Sequence, residues 1–347
     1  VDLGARKSPW DNKRLTYAVR PPTYAEAESI PLEWDGLKYY CYVRGTQGGV
    51  PSCIGWSAKG LTETLLELND GIQEKISAGS LYFHSRELTD LKEDEGGSYP
   101  IAVMKVLQNI GASTEECSPT PLHMPFNLVE CSDWKEIASM YKISSYHYVE
   151  TNEASMKAAI YGITYKQPYK MPDGTDGKCP LYIAIPVYTS FYHSYHDGIV
   201  PMPLEGESLE GGHAILVRGW KKIKDKYYWI MVNSWGTDIG DDGIFYLPFE
   251  YPIWEAWMVS DDSHKSFKIV VDSDNYSVYD VNLGDSFKYV FEDKPYFKLR
   301  VELNGEYVEG NTVLITEVLE DHYIRGIRTR RNGMEIIIEW LKKLLRR

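Results

Sequence analysis

Four residues with complementary chemistry are spread along this chain, and any fold it adopts has to bring them together across a change of secondary structure. Cys53 closes the run Gln47-Gly-Gly-Val-Pro-Ser-Cys53. His213 sits in Gly211-Gly-His213-Ala, and Asn233 follows twenty residues later in Val232-Asn233-Ser-Trp-Gly236. Downstream of Cys53, the apolar residues Ile54, Ala58, Leu61, Leu65, Leu66 and Leu68 recur at helical spacing. Cys53 therefore reads as the start of a helix, with Ser52 as its expected N-cap. Around His213 and Asn233 the pattern is different. Short apolar or aromatic runs at 181–187, 214–217, 227–232 and 244–247 are bounded by turns and read as strands. His213 is expected to begin one strand and Asn233 to end the next, so antiparallel pairing would set them side by side. A helical first half must then pack on a β-rich second half, which makes the class α+β.

Further helices are expected after Ser98, with Pro100 in the first turn and Val103, Leu107 and Ile110 on one face, and at 134–141 and 153–161. Residues 1–30 contain Pro9, Pro21 and Pro22 and read as an extended arm. The arm is expected to pack along the back of the molecule, with a strand entering the cleft as the alternative. Residues 31–261 form the expected main domain and 262–347 a smaller one. In the latter, Lys298-Leu-Arg-Val-Glu-Leu303 alternates, Asn304-Gly305 signals a turn, and 312–318 alternates again. Ile337, Leu341, Leu344 and Leu345 mark a closing amphipathic helix, expected to pack on its own β-module.

The order Gln, Cys, His, Asn is a set of parts for thiol-based acyl transfer. Cys53 would be the nucleophile and His213 its base. Asn233 would orient the imidazole, and Gln47 would donate a hydrogen bond to the developing oxyanion. Any one of these residues alone is a weak signal; four in order, each inside a local motif, are a strong one.

The net charge of −13 argues against nucleic acid as a partner. The acidity belongs to residues 1–261, and the tail is nearly balanced. No apolar run is long enough for a transmembrane helix, and residues 1–20 do not read as a signal peptide. Cytoplasmic location is therefore expected slightly ahead of secretion. Five cysteines occur and no CxxC pair, so no metal site is expected, nor any cofactor. With Cys53 free, the other four form two disulfides or stay as buried thiols; their low density favours the reduced form. Asp173-Gly-Thr-Asp176 and Asp272-Ser-Asp274 lack the full ligand spacing of a calcium loop and read as solvated loops.

Over roughly residues 30–260 the chain resembles the papain-like cysteine peptidases. The likeness rests on Gln47-Gly48, Ser52-Cys53, Gly96-Gly97 after an acidic loop, Gly212-His213-Ala214, and Asn233-Ser-Trp-Gly236 followed by Gly240 and Gly243. The segment Ile199-Val-Pro-Met-Pro203 is closer to prokaryotic members. Val50 stands where plant and lysosomal members carry a disulfide cysteine, Ile54 where they carry Trp, and Ile239 where Trp is usual. The family's disulfide pattern therefore does not transfer, and a full helical prodomain is not expected. The resemblance implies a two-lobed fold, with Cys53 on the central helix of one lobe and His213 and Asn233 on a β-barrel-like lobe. It also implies a cleft that takes an extended peptide or protein substrate. Gly96, Gly97 and Gly212 would line that cleft, and Trp235 would shield the His213–Asn233 bond. The stretch 246–257 is the candidate for part of the wall that sets side-chain preference. Two other readings share these residues: a catalytically silent interaction protein, and an acyl transferase or peptide ligase using the same thioester. The partner of the C-terminal module is left open.

Overall fold

The computed structural model describes residues 3–9, 18–92 and 96–260, and beyond these the strands of the C-terminal region. The chain divides into two compact units, Val1–Asp262 and Ser263–Arg347.

In the first unit, α1 (Tyr24–Glu28) is a short turn of helix within the N-terminal arm, closed by a Thr23/Glu26 capping box. The central helix α2 (Cys53–Asp70) begins at the cysteine and ends at Gly71, whose φ of 65° supplies the left-handed cap. Ser52 occupies the N-cap position but makes no side-chain capping bond; its hydroxyl turns to the Val50 carbonyl instead. Helix α2 is buried on nearly all sides. Helix α3 (Ala78–Glu87) approaches so closely that a Cβ on Gly55 would lie 2.1 Å from the Ala78 carbonyl oxygen. Glycine is what permits that contact. Three further helices follow: α4 (Pro100–Asn109), with Pro100 at its start as expected, α5 (Trp134–Ser139) and α6 (Glu153–Ile160).

The β part is a six-stranded antiparallel sheet. Its strands are β1 (Ser145–Val149), β4 (Leu181–Tyr188), β5 (Leu209–Ile223), β6 (Lys226–Val232), β7 (Ile244–Pro248) and β8 (Glu255–Ser260), in the spatial order β1-β8-β4-β5-β6-β7. A small ribbon of β2 (Gln167–Lys170) and β3 (Asp176–Gly177) stands apart. Helix α2 packs on β4 and β5, so one core runs from the helices into the sheet; Trp220, Trp229 and Trp257 are among its largest fully buried side chains. Strand β5 is longer than the apolar run 214–217. It starts at Leu209, so His213 lies inside the strand rather than at its beginning. Asn233 directly follows β6, as expected.

Of the cysteines, Cys117 and Cys131 form a disulfide, while Cys41 and Cys179 are buried thiols. The fully reduced reading is thereby corrected. The two residues lie 14 positions apart with Cα atoms 5.1 Å from one another, within bridging reach.

The second unit holds a five-stranded sheet. Its members are β9 (Ser266–Asp272), β10 (Ser277–Asn282), β12 (Phe297–Leu303), β13 (Glu306–Val308) and β15 (His322–Arg330), ordered β10-β9-β15-β12-β13. A separate pair joins β11 (Phe287–Val290) to β14 (Thr312–Ile315). The alternating run 298–303 lies in β12 and 312–318 begins in β14. The expected turn at 304–305 and the terminal helix fall outside the described residues. Among the described residues, no helix is long and apolar enough to cross a membrane.

Candidate active site

Helix α2 and strand β5 meet at Cys53. The Ala214 backbone N–H donates to Cys53 Sγ at 3.4 Å, which places the thiol at the residue next to His213. His213 Nε2 and Asn233 Oδ1 are 2.8 Å apart. Asn233 Oδ1 also accepts from the Ser234 N–H at 2.8 Å, so this oxygen is held as an acceptor and the Nε2–H tautomer follows. His213 Nδ1 is buried with no hydrogen-bond partner. The Trp235 ring stacks on the imidazole with centroids 4.5 Å apart and planes 30° apart, and this covers the His213–Asn233 bond.

Gln47 is tied to the same loop. Its Oε1 accepts from Ser234 Oγ at 2.9 Å and from Trp235 Nε1 at 3.2 Å, and its Nε2 donates to the Val50 carbonyl at 2.9 Å. The four residues singled out from the sequence thus form one buried cluster built from the start of α2, the middle of β5 and the end of β6.

The cluster is covered. Residues 3–8 run through the cleft, in contrast to the expectation that the arm packs along the back. The Ser98 N–H donates to the Gly4 carbonyl, the Arg6 N–H to the Ser98 carbonyl, and the Ala5 N–H to the Gly212 carbonyl, each at 2.9 Å. Residue 5 pairs with residue 98 as a parallel bridge. Arg6 Nε donates to the Gly96 carbonyl at 3.0 Å. The physical reason is steric. A Cβ on Gly4 would lie 1.9 Å from the Pro51 carbonyl oxygen, and one on Gly97 (φ 86°) would lie 2.3 Å from the Gly4 carbonyl oxygen. A Cβ on Gly212 would fall 2.1 Å from the Ala5 carbonyl oxygen. The expected wall glycines Gly97 and Gly212 are therefore where a second backbone passes, and Gly96 stands behind, against Pro51. Ser98, whose backbone does the pairing, carries no chemical signature in its residue type; its place directly after the glycine doublet is the one signal in the sequence.

Burial sets the electrostatics of the covered site. Cys53, His213 and Gln47 are each 0% exposed. Loss of solvent pushes the Cys53 thiol up to about 11, against the backbone N–H groups of Ala214 and Gly4, which pull the other way. Burial holds the His213 imidazole down to about 4, opposed by the bond to Asn233. Both groups are neutral in this state. Beneath them Tyr182 donates to the Ile54 carbonyl at 3.2 Å, its phenol held well above its usual range by burial.

Comparison with known proteins places the chain by fold and family. In fold, the chain is similar to xylellain, a cysteine protease from Xylella fastidiosa, with a TM-score of 0.61 over 74% of this chain and 95% of that one at 20% identity. It is likewise similar to proCathepsin B S9 from Trypanosoma congolense, with a TM-score of 0.54, 19% identity, and 76% and 87% of the two chains covered. In sequence it is 30% identical over 210 residues to Cathepsin B-like CP3 of Giardia intestinalis, covering 57% of this chain and 62% of that protein. To Cathepsin S of Bos taurus it is 24% identical over 197 residues, 57% of this chain and 53% of that protein. The chain thus spans less than two thirds of the length of these curated relatives. The profile of the papain family cysteine proteases matches residues 30–251, more than half of the chain and the whole interval from α2 through β7, and on that match the chain belongs to the papain family.

Proposed function

We propose that this protein is a cysteine peptidase whose nucleophile is Cys53, with His213 as proton carrier, Asn233 as its orienting partner, and Gln47 with the Cys53 N–H as oxyanion donors. The observation that carries the reading is one chain of contacts: Asn233 Oδ1 on His213 Nε2 at 2.8 Å, and the Ala214 N–H on Cys53 Sγ at 3.4 Å. This leaves His213 Nδ1, which has no other partner, to serve the thiol.

The chemistry follows from position. With the arm displaced, solvent returns and the two shifts relax. In the substrate complex the Cys53 proton passes to His213, and the N-terminus of α2 and the imidazolium both favour the resulting thiolate. The thiolate attacks the scissile carbonyl carbon, and the C=O electrons move to oxygen. The Cys53 N–H and the Gln47 amide bind that oxyanion. The tetrahedral species collapses by breaking the C–N bond, and the nitrogen takes its proton from His213. A water then loses a proton to His213 and attacks the thioester. Collapse releases the carboxylic acid and the Cys53 sulfur. Asn233 holds the ring so that Nδ1 is the nitrogen that exchanges protons throughout.

A peptide epoxysuccinate tests this directly. Mass spectrometry of the treated protein is expected to find one adduct on Cys53, with parallel loss of peptide hydrolysis and no adduct in Cys53→Ala. An unmodified Cys53 across the pH range of the assay sinks the reading. It would favour instead the catalytically silent interaction protein, for which the filled cleft is the supporting observation. Hydrolysis and ligation share the thioester, so adding an amine nucleophile and analysing the products separates those two outcomes.

A further inference from the structure

Trp56 stands in the first turn of α2, just after Cys53, and none of the catalytic steps uses it. Its indole Nε1–H is buried and, among the described residues, has no hydrogen-bond partner. Asn233 carries a second such donor. Its Oδ1 serves His213 and the Ser234 N–H, while its Nδ2 is buried without a partner among the described residues. A buried donor left unpaired costs more than an ordinary hydrogen bond contributes, and native structures rarely keep one. Here the two belong to one place. Trp56 and Asn233 both line a cavity between α2, β5 and the end of β6, together with Ser57, Gly60, Leu216 and Val232. It offers about 20 Å³ to a water-sized occupant, which is room for one.

The walls define what such an occupant has to be. A Cβ on Gly45 would lie 2.8 Å from indole Cζ3, so the benzo ring of Trp56 abuts that backbone and its N–H is on the other ring. An indole N–H and an amide NH₂ can only donate, so the occupant has to accept from both. Arg44 also borders the cavity. Its charge is met by Glu63 at 3.0 Å and Glu67 at 3.3 Å, although its Nε makes no aligned hydrogen bond. With that charge balanced, a neutral acceptor suits the site better than an anion, which would have to shed its hydration without a free cation to meet it.

We propose that this cavity holds one water molecule that accepts from Trp56 Nε1–H and Asn233 Nδ2–H, and that Trp56 is thereby a positioning residue for the reaction. This rests on the peptidase reading above and deepens it. The Asn233 amide then has its oxygen held by two donors and its nitrogen by an acceptor, which opposes an end-for-end turn. The consequence falls on His213. With Oδ1 toward Nε2, the imidazole keeps its proton there and leaves Nδ1 bare to take one from Cys53. A reversed amide would offer Nδ2–H to the ring, favour the Nδ1–H tautomer and remove the acceptor that the thiol needs.

The experiment uses the full chain at neutral pH, with ¹⁵N in the histidine, asparagine and tryptophan side chains. In the wild type, magnetisation transfer from a long-lived water is expected at both Trp56 Nε1–H and the Asn233 amide protons. Trp56→Phe keeps a six-membered ring beside Gly45 and removes the donor. There the Nδ1–H share of His213, read from its ring ¹⁵N shifts, is expected to rise about fivefold, the size of one ordinary hydrogen bond. The kcat for a peptide is expected to fall by about fivefold with KM within about twofold. A loss of packing alone would not move the tautomer. Lack of water transfer at either donor in the wild type would overturn the proposal, and this needs no variant, so misfolding of Trp56→Phe does not blunt the test. A tautomer share that Trp56→Phe leaves unchanged would overturn it as well. Both results leave the peptidase reading intact. A wild-type Cys53 that no epoxysuccinate alkylates would overturn the peptidase reading, and the role of Trp56 with it.

Discussion

In the proposed mechanism Gln47 has two jobs that pull in different directions, and separating them gives a sharp test at the level of single residues. Its Oε1 fastens the Ser234–Trp235 loop, while its Nε2 faces the start of α2 and reaches the Val50 carbonyl. Replacing it with alanine removes the proposed oxyanion donor, a loss that typically costs about 10²–10³ in rate. Alkylation of the thiol by an epoxide develops no oxyanion at that position. Gln47→Ala is therefore expected to lower kcat/KM for a peptide by about 10²–10³ while changing the labelling rate of Cys53 by less than about tenfold. If the two rates fall together, the loop has come apart and Gln47 acts as a fastener alone. At this scale the site was largely legible: Gln47, Cys53, His213, Asn233 and Trp235 each stand in a local motif, and all five converge. Ser98 was not legible for a definite reason. Ser98 acts through its backbone, which leaves no mark on residue type.

Among the elements, the arm strand carries the most consequence, because residues 3–8 pair with the Ser98 wall and with β5 while covering the thiol. The strand fits only because Gly4 lacks a side chain beside the Pro51 carbonyl. Gly4→Val puts atoms where backbone already lies, and residues 3–8 can leave the cleft without unfolding α2 or the sheet. The expected result is alkylation of Cys53 at least about tenfold faster than wild type, with the unfolding midpoint of the main transition little changed, since a segment that opens locally below the global transition contributes little to it. A slower or unchanged labelling rate would show that the strand does not limit access. The loop between Cys117 and Cys131 offers a second element-level test. Opening a closed loop of this size costs about 3 kcal/mol, so Cys117→Ser with Cys131→Ser is expected to lower stability by about that much in denaturant titration without abolishing Cys53 labelling. Element boundaries were legible where apolar periodicity was strong, as in α2, α4 and β4. Helix α3 was not, because its buried residues include Gly79, Ser80, His84 and Ser85, so an interior face looks polar. The extension of β5 back to Leu209 was hidden by Gly211 and Gly212, which read as a turn although their backbone pairs with β4.

For the first unit as a whole, the covered and uncovered states of the site bind protons differently, and pH therefore decides between them. Burial lowers His213 from 6.5 to about 4 and raises Cys53 from 9.0 to about 11. An imidazole returned to solvent takes up a proton as pH falls below about 6.5, whereas the covered one stays neutral until about 4. The covered state thus has its full His213 contribution above about 6.5 and loses it as pH falls from there toward 4. At the other end, a solvated thiol ionises from about 9 while the covered one holds its proton to about 11, so the covered state weakens again as pH rises through that window. The arm should be most firmly seated between about 6.5 and 9. The amides of Ala5 and Arg6, which donate to the Gly212 and Ser98 carbonyls, report on this directly. Their hydrogen exchange, corrected for the intrinsic rate, is expected to show opening that grows by up to about tenfold per pH unit between 6.5 and 4, the limit for one proton. In His213→Gln that slope should flatten while the alkaline limb remains. A wild-type profile already flat through the acid window would mean that His213 is not uncovered when the arm opens. Acid would then not be what releases the thiol.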